Sequence, residues 1–118
     1  MRMSEIPIEG QPPVDGYAPG GFRIAGLWHA GHVLLLPGGV TRVEGLEAGL
    51  DAAIAAGDAL DLLLLGQGPD IAPVPAALRS RAEASGLALE PMATPSACRT
   101  YNVLLTEDRR VGALLLAL

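Results

Sequence analysis

In the segment EPMATPSACRTYN, residues 90–102, a carboxylate, a helix start, the single cysteine of the chain and an arginine stand close enough to share one site. Thr94 followed by Pro95 signals the helix start, because the hydroxyl can cap an orphan amide while the proline pre-sets the backbone of the first turn. The free amides and positive dipole end of such a start suit a carboxylate or phosphate, and Ser96 and Arg99 stand beside it. The same residues also read as a simple cap with Arg99 in solvent. Cys98, next to Arg99 in the first helical turns, would have its thiol pKa lowered by the dipole and the neighbouring charge, which enriches the nucleophilic thiolate. Against this, helical spacing puts Cys98 at the edge of the apolar face of Ala97, Tyr101, Leu104 and Leu105, where a cysteine is a small hydrophobe. No histidine lies in the segment to serve as its base. Arg99 and Asn102 point off that face together with Ser96, as a surface for a partner or for solvent. Glu90, at the end of an apolar strand, can hydrogen-bond the next loop or act as a general base. Tyr101 reads as core, with its hydroxyl finding a partner.

A second set of residues, Gly66, Gln67 and Gly68, follows an apolar run that reads as a strand. If that strand and the one ending at Met92 are parallel neighbours, the 66–68 and 92–94 loops emerge at one sheet edge, where open α/β sheets place their ligands. The candidate crevice or partner surface therefore comprises Gly66, Gln67, Gly68, Glu90, Met92, Thr94, Ser96, Cys98, Arg99 and Asn102. The two glycines and Glu90 superficially copy a dinucleotide fingerprint, but position 71 is Ile rather than a third glycine. Pro69, Pro73 and Pro75 also delay the helix that must receive the pyrophosphate, so no nicotinamide or flavin cofactor is assigned. His29 and His32 have no cysteine or carboxylate companion for a four-ligand zinc site, so no metal is assigned. The chain lacks both a Gly-x-Ser-x-Gly elbow and a P-loop, and no catalytic residue is assigned.

The elements that must position these residues follow from spacing. Turn residues crowd the first forty positions, and residues 22–28 and 32–36 read as a hairpin around Ala30-Gly31, with one more short strand at 40–43. Leu46, Leu50, Ala53 and Ile54 share one helical face, with Glu47, Asp51 and Asp58 elsewhere. Residues 60–65 are a continuous apolar run, as expected of the middle strand of a sheet covered on both faces. Val74, Leu78, Ala82 and Ser85 mark a second helix stopped by Gly86, followed by a strand at 87–92. A third helix runs from the Thr94-Pro95 start to about Glu107, and residues 111–118 form the last strand. Strand, helix, strand, helix, strand means an α/β sheet.

The chain has 118 residues, enough for a single domain with its own core, and half of it is apolar with only four aromatic residues. A net charge of -5 with no basic cluster argues against a nucleic-acid partner. No apolar stretch reaches the eighteen or so residues needed to cross a bilayer. A lone cysteine and an opening MRMSEIPIEG without an apolar or arginine-rich leader lead to the expectation of a cytoplasmic, bacterial-type protein.

Three segments, YAPGGFRI at 17–24, LDLLLLGQG at 60–68 and EPMATPSACRTYNVLLTEDRRV at 90–111, resemble the Mth-type domain of unknown function. That family includes the mitochondrial NADH dehydrogenase (respiratory complex I) assembly factor 3 and an adipogenesis-associated protein. The resemblance implies a three-layer β/β/α domain over residues 1–118. Its mixed central sheet of about five strands, one of them antiparallel, carries a small N-terminal hairpin sheet on one face and helices on the other. It implies a non-enzymatic interaction domain, an accessory or assembly factor binding protein partners. A small-molecule or anion-binding protein or enzyme that uses the crevice at the Pro95 helix start is the alternative. Two departures from the family pattern are Val43, where many relatives carry tryptophan, and Asp108, where a glycine usually ends the helix. Asp tolerates the left-handed conformation that position requires.

Overall fold

The computed structural model describes residues 11–56 and 60–118; the opening MRMSEIPIEG and Asp58 lie outside them. The described elements are β1 (Val14–Ala18), β2 (Gly21–Ile24), β3 (Leu27–Ala30), β4 (His32–Leu36), β5 (Gly39–Val43), α1 (Leu46–Ala55), β6 (Leu62–Gly66), α2 (Ala76–Ala84), β7 (Ala88–Met92), α3 (Thr94–Thr106) and β8 (Val111–Leu115). They form a three-stranded antiparallel sheet, β1-β2-β3, and a five-stranded sheet ordered β5-β4-β8-β6-β7. In the larger sheet β6 runs parallel to both β7 and β8, while β4 runs antiparallel to β5 and β8 and is its one reversed strand.

Alternation along the large sheet divides the core in two. Val33, Leu35, Leu64, Val111, Ala113 and Leu115 face Val14, Phe22 and Ile24 of the small sheet and Ala97, Cys98 and Tyr101 of α3. Leu34, Leu63, Leu65 and Leu114 face the other way, onto Leu50 and Ala53 of α1 and Leu78 and Ala82 of α2. The three-layer α/β arrangement is as the resemblance implied, with α3 sharing the layer of the small sheet and α1 and α2 covering the opposite face. At the centre of that second contact Gly49 of α1 lies so close to Leu114 that a Cβ would meet its side chain.

The N-terminal hairpin departs from the expected one. The strand read over 22–28 breaks at Ala25 and Gly26, whose φ angles are 52° and 79°, and β2 folds back on β3 there. Two consecutive left-handed residues make a tight hairpin turn that usually announces itself as Asn-Gly, and alanine at its first position hides it. Gly31, with φ 86°, then carries the chain from the small sheet into β4 of the large one, so residues 22–28 and 32–36 are not paired. The middle strand is β8 rather than β6, which sits beside it. The runs at 60–65 and 111–118 are similarly apolar, so composition does not rank them. Asp108 has φ 56°, the left-handed helix end expected of it.

Candidate functional site

Connections leave the parallel strands in opposite directions: β6 leads to α2 on one face and β7 leads to α3 on the other. The ends of β6 and β7 thus flank a topological switch point, the place where open α/β sheets bind ligands. Here it is stitched shut by the chain itself. The Gln67 N–H donates to Met92 O at 2.9 Å, and the Thr94 N–H donates to Gly68 O at 2.8 Å. The Gly68 N–H returns a bond to the Thr94 hydroxyl at 2.8 Å, and that hydroxyl donates to Leu116 O at 2.7 Å. A Cβ on Gly66 would stand 2.9 Å from Thr94 Oγ1 and 3.0 Å from Thr94 Cα, so only glycine permits this approach.

The expected capping role of Thr94 is corrected by this geometry. Ala93 is the cap residue, no side chain caps α3, and the Thr94 hydroxyl is fully buried between strands. Of the first-turn positions 94–96, Thr94 gives its amide to Gly68 and Pro95 has none. Gln67 turns its side chain back onto its own loop, accepting the Ala72 N–H at 2.9 Å. Met92 packs against the small-sheet core, and Glu90, on the same side of the edge strand β7, is exposed. Arg99 is exposed and reaches Ser96 Oγ at 3.4 Å, with the exposed Val103 one turn further along α3.

Two more residues stand apart from that surface. Asn102 does not share the polar face with Arg99. It accepts the Val14 N–H at 2.8 Å and donates to Val14 O at 2.9 Å, acting toward β1 as a neighbouring strand would. Cys98 is buried, and burial pushes its thiol up to about 11 although Arg99 pulls the other way. The expected thiolate enrichment is therefore reversed: desolvation outweighs one exposed guanidinium. At pH 8 the Cys98 thiol is therefore almost wholly protonated. A thiol reagent at that pH is expected to modify the native protein only as it unfolds. Immediate stoichiometric reaction would show an open, reactive thiol.

Spacing gave no hint of the partners that reach this end from elsewhere in the chain. Leu116 donates its N–H to Gly66 O at 2.8 Å, and His32 Nδ1 accepts the Ala117 N–H at 2.9 Å. A cavity of about 440 Å³ lies at the opposite end of the sheet, lined by Ala53, Ile54, Leu60, Leu87, Asp61 and Arg110. Its two charged side chains bond each other at 2.6 and 3.1 Å, and the Arg110 bond holds the Asp61 carboxyl below the usual range. Among the described residues no group of three or more His, Cys, Asp or Glu could hold a metal, and no helix is long and apolar enough to cross a membrane.

A mixed five-stranded sheet between two helices and a layer of small sheet plus helix defines a three-layer α/β domain. The chain belongs to the family described as protein of unknown function (DUF498/DUF598), whose model matches residues 14–116. An uncharacterised protein of Rhodobacter capsulatus is 49% identical over 116 residues, covering 98% of this chain and 93% of that protein. A crystal structure described as an outer membrane protein from Bartonella henselae superposes with a TM-score of 0.88 at 33% identity, covering 94% of this chain and 98% of that one. A Bordetella pertussis protein described as a Mth938-like domain has the same fold, with a TM-score of 0.76 at 20% identity over 99% of this chain and 92% of its own.

Proposed function

We propose that this domain works by binding protein partners in the cytoplasm, through the α3 face of Ser96, Arg99 and Val103 and the adjoining edge strand β7 with Glu90. The observation that supports this reading is the contrast at the end of the sheet: the crevice is filled by backbone hydrogen bonds, while the helix face beside it is exposed. Val103, 56% exposed, offers apolar area beside a guanidinium whose bond among the described residues is the long one to Ser96. Exposed arginine next to apolar surface is a composition that protein interfaces favour. The outer edge of β7, which pairs with no other strand among the described residues, adds backbone groups, partly blunted by Pro91, which has no N–H to donate. The resemblance to the complex I assembly factor suggests the class of partner, subunits or assembly proteins of a respiratory complex.

A pulldown from a lysate of a bacterium that encodes this protein tests the reading. The immobilised domain should retain a defined partner, and an Arg99→Glu, Val103→Asp variant should retain at least about tenfold less of it, the loss of a central pair of interface contacts. Equal retention by the variant, or no partner above background, would overturn the proposal.

A further inference from the structure

Residues 116–118, which follow β8, are fastened to four different parts of the fold. Leu116 bonds Gly66 through its N–H and the Thr94 hydroxyl through its carbonyl, at 2.8 and 2.7 Å. Ala117 then donates its N–H to His32 Nδ1 at 2.9 Å, and Leu118 O accepts the Gly20 N–H at 2.9 Å. The segment is a strap running from the end of β6 and the start of α3, past the first residue of β4, to the β1–β2 turn of the small sheet. Gly20 in turn accepts the Gly31 N–H at 2.7 Å, so the strap ends where the two sheets meet.

Three of these fastenings use backbone groups and a hydroxyl, whose protons do not come and go near neutral pH. The fourth differs. A backbone N–H can only donate, so His32 Nδ1 must present a lone pair, which requires the neutral ring with its proton on Nε2. Protonating the ring puts an N–H where the lone pair was, facing the Ala117 N–H, and the bond is lost.

Charged and titratable groups stand on the neighbouring elements. Arg42 on β5 places its guanidinium over Gly31, its Nε 3.2 Å from where a Cβ there would be. Glu44 follows Val43, the residue opposite His32 in the β4–β5 ladder. Glu47, in the first turn of α1, is bridged to Arg81, and His29 lies on β3. None of these groups changes the donor count: a ring protonated on Nδ1 offers the Ala117 N–H no acceptor there.

We propose that His32 is a pH-operated latch on this strap. The neutral ring holds residues 116–118 across Gly66 and Thr94 and against the small sheet. Protonation frees Ala117 and loosens the Gly20–Leu118 link next to it. The use of such opening, to change the end of the sheet beside α3, rests on the partner-binding reading; the latch itself does not. The sign follows from proton counting. The fastened state carries no proton on Nδ1 and the open state binds one freely. The latch is therefore formed while the ring is neutral and weakens as the ring takes up a proton, with opening gaining about tenfold per pH unit wherever only the open state is protonated.

Amide hydrogen exchange of the full chain, followed by NMR from about pH 7.5 to about pH 5 and corrected for intrinsic rates, tests this without any partner. Protection of Ala117 and Gly20 should fall as the pH is lowered, by about tenfold for each unit over which only the open state is protonated, while that of Leu64 stays level. His32→Asn, whose Oδ1 is an acceptor that does not titrate, should flatten the dependence. Level protection at Ala117 and Gly20 in the natural protein, or the same fall in His32→Asn, overturns the latch. The imidazole nitrogen shifts of the natural protein need no variant: a proton on Nε2 alone at pH 7.5 is expected, and one on Nδ1 overturns it. A failed pulldown would leave these results untouched, so the latch and the binding surface fail separately.

Discussion

Replacing Thr94 by valine is expected to lower the stability of the domain by about 3 kcal/mol, because the buried Gly68 N–H and the Leu116 carbonyl each lose their partner, at about 1–3 kcal/mol apiece. Valine keeps the shape of threonine, so the close approach of Gly66 to residue 94 is undisturbed and the loss reports the hydroxyl alone. Thr94 is 0% exposed and bonds both groups at 2.7–2.8 Å, which leaves no room for water to take over. Thr94→Ser retains the hydroxyl and is expected to cost about 1 kcal/mol, the methyl group only. Urea denaturation monitored by circular dichroism measures both. A valine variant within 0.5 kcal/mol of the natural protein, roughly the scatter of surface substitutions, would show that these bonds do not hold the switch point closed.

Thr94 also marks how far the sequence could be read. The strand ends, the helix start and their meeting at one sheet edge follow from local signals: apolar runs closed by Gly66 and Met92, and Pro95 inside a new helical period. A threonine before a proline reads as a cap because capping needs only its own helix. Its real partners, Gly68 and Leu116, lie 26 and 22 residues away, and nothing local announces them. Asn102 is the same case. Its spacing from Arg99 suggests a shared polar face, yet its amide lies against Val14, 88 residues earlier. The two halves of the core were legible for the opposite reason: apolar alternation and helical periodicity are properties of short windows. Cys98 fell between these cases. Its place at the edge of an apolar face was visible, but whether burial or Arg99 would decide its ionisation depended on how closely the small sheet covers α3.

Truncating Tyr101 to alanine is expected to have the largest effect of any single change, about 4 kcal/mol. Its ring is 0% exposed and packs in the core that joins the small sheet to the large one, with Phe22 and Ile24 from one and Leu64, Val111 and Leu115 from the other. Its hydroxyl donates to Pro12 O at 2.8 Å, two residues before the Asn102 bonds at Val14. Neighbouring residues of α3 thus fasten the entry of β1 in succession, one through a phenol and one through an amide. Burial pushes the Tyr101 phenol above its ordinary range, against the bond from Gln11, so it is protonated and donates at neutral pH. Tyr101→Phe keeps the ring and removes only that donor, and is expected to cost about 1–2 kcal/mol by orphaning a buried carbonyl. The pair of variants separates ring from hydroxyl: the difference between them is the cavity, and the phenylalanine loss alone is the anchor at Pro12. Denaturation midpoints for both, with hydrogen exchange at Val14, decide it. If phenylalanine matches the natural protein in both measurements, the small sheet is held by packing and by Asn102, and the phenol contributes nothing to its attachment.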